Sequence, residues 1–277
     1  MCGIVGIVDT KAKVLPAEID AMRTCIVHRG PDADGTFTGG APGFAVGLGA
    51  QRLSIVDLTA AGNMPMSNED GSVWIVYNGE IYNHAEIRTR LEGRGHQYRS
   101  RTDTETVIHA YEEYGTDCFG LFNGIFACMI YDAAKGRVVM ARDRTGVKPL
   151  YYAALAGDAS YGSGLACASE LKALLRTGRA PAEIDPTALE IYLALGYVPA
   201  PYSLIRGVRK LPAASSAVYQ AGRLTIERYW QPSLALHRPR RSWRETVDET
   251  RAVVTGAIES QMMSDVPVGV MLSGGLD

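Results

Sequence analysis

Cys2 follows the start methionine directly, in the run MCGIVG. Once Met1 is trimmed, this residue carries a thiol and a free α-amine on the same carbon. The thiolate is the reactive form, and a free cysteine titrates near pH ~8.5. An α-amine titrates near pH ~8, so a useful fraction is neutral at about pH 7. It can take the thiol proton without a histidine, as N-terminal nucleophiles do. The plainer account is a small second residue that favours methionine removal.

Other polar residues stand where they could serve such a nucleophile, and each has a plain structural alternative. Arg52 lies in QRLSIVDL; its planar guanidinium suits bidentate capture of a carboxylate, or it is a surface arginine on a half-exposed strand. Asn78-Gly79-Glu80 lies in YNGEIYN. A side-chain amide and a glycine N–H presented together make an oxyanion hole, whereas Asn-Gly is also the strongest short turn signal. Asp103, in RTDTET, is either an acid favoured by a helix dipole or a grip for a substrate ammonium. Arg52 and Asp103 together could hold both ends of an α-amino acid and leave its side chain free to meet Cys2. HRGPD, residues 28–32, reads as the basic end of a helix with a Gly-Pro stop, and His28 is not needed as a base if the amine serves. In VMLSGGLD a strand runs into Ser-Gly-Gly, which is either an anion nest or a strand-to-helix turn.

The elements that must position these residues are mostly strands. GIVGIV suits a buried strand; FAVGLGAQRLSIVDL, SVWIVYNGEIYN, RVVMARD and PLYYAA read as further strands. Ile19, Met22 and Ile26 recur at helical spacing behind Pro16. Thr102 with Glu105 forms a capping-box pattern, and Asp185-Pro186 offers a cap and a first-turn proline. Helices are interspersed without strict βαβ alternation, which implies a mostly antiparallel α+β layered domain. Beyond about residue 230 the texture changes. WQPSLALHRPRR reads as a connector, Ser242 with Glu245 repeats the capping box before a helix, and VPVGVML reads as a buried strand opening a parallel α/β domain.

Composition restricts the setting. With 28 Lys+Arg against 30 Asp+Glu in 277 residues, the net charge of −2 leaves no basic footprint for nucleic acid. No signal peptide or membrane-length apolar stretch is visible. The 5 cysteines are scattered and form no C-x-x-C pair, so a reduced, cytoplasmic setting without a structural zinc is expected.

Each motif is weak alone, but their succession is specific. MCGI, HRGPD, RLSIVDL, NGEIYN, DTE, RDRTGVKPLYY, ASELKAL and SGGLD follow one another along essentially the whole chain. In this the sequence resembles the glutamine-hydrolysing asparagine synthetases. That resemblance implies an N-terminal nucleophile hydrolase-like αββα sandwich of two antiparallel sheets at residues 1–212. A connector at 213–240 and the first helix and strand of an ATP-pyrophosphatase domain at 241–277 would follow. It implies Cys2 as nucleophile, Asn78 and Gly79 as oxyanion donors, and Arg52 as clamp for the glutamine carboxylate, with Leu53, Ser54, Ile55 and Val56 on the same binding strand. Glu80 and Asp103 match glutamine-binding acids, Asp103 facing the α-amine. Leu272 matches a residue beside the nucleotide, and Ser273, Gly274, Gly275, Leu276 and Asp277 match the start of the pyrophosphate loop.

By the same resemblance the full-length protein would use ATP, Mg²⁺ and aspartate, passing ammonia between sites through an internal tunnel. The glutaminase would need no cofactor or metal; a homodimer is compatible, and neither nucleic acid nor membrane is an expected partner. The family's loop continues past the aspartate, so the 277 residues are expected to support the glutaminase half-reaction alone. Rivals are a paralogue that amidates another carboxylate, a retained fold without catalysis, and other class II amidotransferases, which lack a following SGGLD.

Overall fold

The computed structural model describes residues 1–157, 162–180, 182–233 and 241–275. The first strand, β1 (Gly3–Asp9), is buried along its whole length. Successive side chains of a strand face opposite sides. Ile4 and Val8 accordingly enter one apolar cluster, and Val5 and Ile7 a second. A continuous apolar run therefore places β1 at the centre of a layered structure, with Cys2 at its leading end.

The chain continues through α1 (Pro16–Thr24), β2 (Ala33–Ala41), β3 (Phe44–Arg52), β4 (Met66–Ser67), β5 (Val73–Ile81), α2 (His84–Glu92), α3 (Asp103–Tyr114) and α4 (Cys118–Leu121). Then come β6 (Gly124–Asp132), β7 (Arg137–Arg142), β8 (Tyr151–Leu155), β9 (Gly164–Ala168), α5 (Leu171–Leu175), α6 (Pro186–Leu195), β10 (Val208–Lys210), β11 (Ser215–Gln220), β12 (Arg223–Arg228) and α7 (Trp243–Gln261). Two six-stranded sheets result, ordered β10-β8-β9-β1-β3-β2 and β12-β11-β7-β6-β5-β4. The pairings within both are antiparallel. The sheets face each other across a core that includes Leu48, Ile75, Met129 and Met140. α1 and α5 cover the first sheet with Ile19, Met22 and Leu174, while Ile87, Leu91, Val107 and Ile108 of α2 and α3 back the second. The fold is the expected αββα sandwich.

Local signals match in detail. Pro16 opens α1, and Ile19 and Met22 form its buried stripe. The Thr102 hydroxyl accepts from the Glu105 N–H. The Glu105 carboxylate accepts instead from the N–H groups of Arg99 and Ser100, fixing the turn before α3. Asp185 caps α6, and Ser242 and Glu245 close a full capping box on α7.

Three expectations need correction. Residues 53–56 are not on the strand with Arg52: β3 ends at Arg52, and they begin the loop beyond it. The connector expected at 213–240 starts too early, because β11 and β12 hydrogen-bond to each other and to β7 and extend the second sheet to Arg228. VPVGVML forms no strand. Among the described residues no strand pairs with it, and an apolar run without a neighbour has no ladder to join. Val270, Met271 and Leu272 are exposed, as are Trp243, Val254 and Ile258 on α7. Residues 234–240, 276 and 277 lie outside the described residues, and with them part of the connector, Leu276 and Asp277.

Candidate active site

Cys2 precedes β1 and faces the end of β3, because the two strands pair antiparallel with Gly3 opposite Gln51. Its Sγ lies 3.5 Å from the Leu53 N and 3.8 Å from the Leu53 carbonyl oxygen. Burial pushes the thiol's pKa up, and the Asp103 carboxylate adds to the effect. The N-terminal nitrogen belongs to Met1, and burial lowers its pKa. The nitrogen of Cys2 itself is in a peptide bond.

HRGPD does more than stop a helix. Arg29 donates from Nε to the Cys2 carbonyl oxygen at 3.1 Å and from Nη1 to Glu170 at 2.9 Å. His28 Nε2 sits 2.8 Å from the same Glu170 oxygen. Burial acts to raise the Glu170 pKa, but Arg29, His28 and Lys172 outweigh it and hold it at about 2. A Cβ on Gly30 would meet the Gln51 carbonyl oxygen at 2.4 Å, so only glycine lets this segment lie against β3. Asp32 accepts from the Ser54 N–H at 2.8 Å. The motif thus braces both the cysteine and the loop beside it, a role the helix-stop reading missed.

Asn78 and Gly79 sit in the middle of β5, not in a turn, opposite Ala127 and Phe126 of β6. A Cβ at residue 79 would meet the Ile125 carbonyl oxygen at 2.4 Å, so glycine is required by the approach of β6. Phe126 directs its own N–H and C=O to Asp143, on the far side. The odd-numbered residues of β5 turn their N–H groups away from β6: Tyr77 N reaches Met64 Sδ at 3.3 Å and Ile81 N reaches Asp103 Oδ2 at 2.8 Å. Antiparallel alternation then sends the Gly79 N–H to that same side. Asn78 is 1% exposed, and neither its Nδ2 nor its Oδ1 has a partner.

Asp103 is the first residue of α3 and is buried. Its Oδ2 also accepts from the Tyr77 hydroxyl at 2.7 Å. Burial raises its pKa. Burial, with Asp103 next, raises Glu80 to about 8. Two carboxyl groups that resist ionisation side by side form a place where a cation is favoured.

Arg52 is buried, but its guanidinium is engaged. Nη1 donates to the Thr59 carbonyl and to Asn63 Oδ1, both at 2.9 Å; Nη2 donates to the carbonyls of Val56 and Asp57. Of the five N–H groups of a guanidinium, these four bonds hold the loop 53–63, so a carboxylate would take Nε or displace loop carbonyls.

One cavity of about 430 Å³ collects Cys2, Arg52, Leu53, Ile55 and Val56 with Asn78, Gly79, Glu80 and Asp103. Ser54 does not line it. Leu272–Gly275 are exposed and take no part. Sequence reasoning missed Tyr77, whose hydroxyl a strand pattern does not distinguish, and Lys148, inside RDRTGVKPLYY. Lys148 is buried in the cavity wall, and its pKa is lowered by burial. Asp143 positions it by accepting from the N–H groups of Phe126, Thr145, Val147 and Lys148. Residues 263, 264 and 266–268, which follow α7, also line the cavity.

The sandwich is similar to that of a glutamine phosphoribosylpyrophosphate amidotransferase from B. subtilis, with a TM-score of 0.58 at 16% identity, covering 83% of this chain and 50% of the other. Two curated Bacillus subtilis proteins, glutamine-hydrolyzing asparagine synthetases 1 and 3, are 35% and 36% identical over all of this chain. The chain spans 42% and 44% of their lengths. The glutamine amidotransferase domain family matches residues 1–230, and the asparagine synthase family matches residues 249–277. The chain belongs to the glutamine amidotransferase family, with the start of an asparagine synthase domain behind it.

Proposed function

We propose that the cavity hydrolyses the side-chain amide of glutamine. The observation that carries this is the convergence of a half-buried cysteine at position 2, an unpartnered asparagine amide and an N–H directed away from the sheet on one cavity. In the form that begins at Cys2, the α-amine takes the thiol proton and the sulfur attacks the carboxamide carbon. Asn78 Nδ2 and the Gly79 N–H receive the oxyanion, where such donors act most strongly. Ammonia leaves a thioester, which water converts to glutamate. Asp103 and Glu80 hold the substrate ammonium, and Arg52 its carboxylate. The same placement favours this reading over a fold retained without catalysis.

In the full-length protein the ammonia would amidate aspartate in an ATP- and Mg²⁺-dependent step, in the cytoplasm. Leu272 is 89% exposed, and Gly274 has nothing near its Cα face. Residues 272–275 therefore do not by themselves enclose a nucleotide. No helix among the described residues is long and apolar enough to cross a membrane. Cys2→Ala is the direct test: hydrolysis should vanish while glutamine still binds, and ammonia-dependent synthesis by the full-length protein should persist. Hydrolysis near the parent rate would exclude Cys2 as nucleophile.

A further inference from the structure

The loop 53–63 that walls the cavity turns on Asp57. This residue is buried and holds φ at +55°, a left-handed conformation disfavoured for a residue with a Cβ. Several bonds fix it there. Its carbonyl accepts from Arg52 Nη2. Its Oδ1 accepts from the Thr59 N–H at 3.1 Å and the Thr59 hydroxyl at 2.6 Å. Its Oδ2 accepts from the Arg101 N–H at 2.8 Å. The remaining backbone group, its own N–H, donates to Asp265 Oδ2 at 2.8 Å.

Asp265 lies four residues beyond α7, inside the stretch matched by the asparagine synthase family. It returns the contact, since its N–H donates to the Ile55 carbonyl at 2.9 Å. The Arg101 guanidinium stands 3.6 Å from the same carboxylate oxygen. Among the described residues, the hydrogen bonds and the ion pair joining 241–275 to the first 233 residues all converge on Asp265. Its neighbours Met263, Ser264, Val266, Pro267 and Val268 line the cavity itself.

We infer that Asp265 is a positioning residue for the glutamine cavity, through which the second domain sets the loop that Arg52 organises. This rests on the glutaminase reading above. The chain of contact is short and continuous: Asp265 to the Asp57 N–H, the Asp57 carbonyl to Arg52, and Arg52 to the cavity. Without Asp265 the Asp57 N–H is buried and unpaired, and the left-handed turn loses one of its constraints. The loop then samples arrangements in which Arg52 and Leu53 no longer face the ligand. The cost falls more on binding than on bond breaking: Asn78 and Gly79 are held in β5, and the Cys2 backbone is held by Arg29, while only the Cys2 Sγ meets the loop, at Leu53. Conversely, a movement of residues 263–268 would reach the glutamine cavity twice, directly through the wall they form and through the Asp265 carboxylate on loop 53–63.

The test compares Asp265→Ala, Asp265→Asn and Arg101→Ala in the 277-residue chain processed to Cys2. Two readouts are used: steady-state glutamine hydrolysis and amide hydrogen exchange across residues 53–63. Asp265→Ala should raise KM for glutamine about tenfold or more, the scale of a lost hydrogen bond to a charged group, with kcat within about threefold. Exchange across the loop should accelerate. Asp265→Asn should recover most of the loss, since an amide oxygen can still accept from the Asp57 N–H. Arg101→Ala, an exposed change, should raise KM by less. Unchanged KM and unchanged exchange in Asp265→Ala, beside an active parent, would overturn the inference and leave the glutaminase intact. An equal fall in kcat at constant KM would overturn it too. A parent chain that hydrolyses no glutamine would instead overturn the glutaminase reading, and this inference with it.

Discussion

Asn78 separates function from stability, because its amide serves nothing in the folded chain. Both polar atoms of this side chain are buried without partners. An unsatisfied buried polar group costs about 1–3 kcal/mol. Asn78→Ala removes that penalty and leaves a small void, whose cost is of similar or smaller size. The net change in stability should lie between about neutral and ~2 kcal/mol more stable. Catalysis should move the other way: deletion of one oxyanion donor costs about 2.7–4 kcal/mol, or roughly 10²–10³ in kcat. Urea denaturation and steady-state hydrolysis on the same preparation read the two numbers. A variant that keeps kcat within about threefold would remove Asn78 from the oxyanion site. A variant destabilised by more than about 2 kcal/mol would show that the amide is paired in the folded protein, which would refute the reasoning.

Asp103→Asn keeps an acceptor for Tyr77 and Ile81 but deletes the charge, so it should raise KM for glutamine strongly while the protein becomes no less stable; an unchanged KM would place the ammonium elsewhere. Arg52→Ala should cost on the order of 2–5 kcal/mol in glutamine binding if the carboxylate pairs there, and should also loosen loop 53–63, visible as faster amide exchange; Arg52→Lys should restore neither fully. Glu80 offers a pH test. Its folded pKa of about 8 lies above its ordinary value, so its contribution to stability is fully present below about pH 4.5 and is lost as pH rises through 8. A substrate ammonium lowers that pKa, so glutamine binding near pH 7 should release a proton. Calorimetry in buffers of different ionisation enthalpy should detect the release in Cys2→Ala and not in Cys2→Ala with Glu80→Gln.

Much of this site was legible because its residues sit at the ends and middles of strongly patterned elements. Cys2 leads a strand whose apolar run is buried on both faces, and Asp103 follows a capping threonine, so both positions could be read locally. Asn78-Gly79 was legible as chemistry but ambiguous as structure: the pair signals a turn, and only the approach of β6 explains a glycine in mid-strand. The engagement of Arg52 was not legible, since its acceptors are backbone carbonyls whose direction no residue type reports. The contact between Asp57 and Asp265 spans 208 positions and follows no periodicity. VPVGVML misled because strand propensity expresses itself only where a partner strand is present.

The central claim is that Cys2, freed of Met1, forms a covalent intermediate with glutamine. Rapid quenching during turnover, followed by mass spectrometry of the N-terminal peptide, tests it most directly. Chains that begin at Cys2 should show a glutamyl thioester on that residue, and chains that retain Met1 should turn over little glutamine. Full turnover by protein shown to carry Met1, or an adduct on another residue, would contradict it.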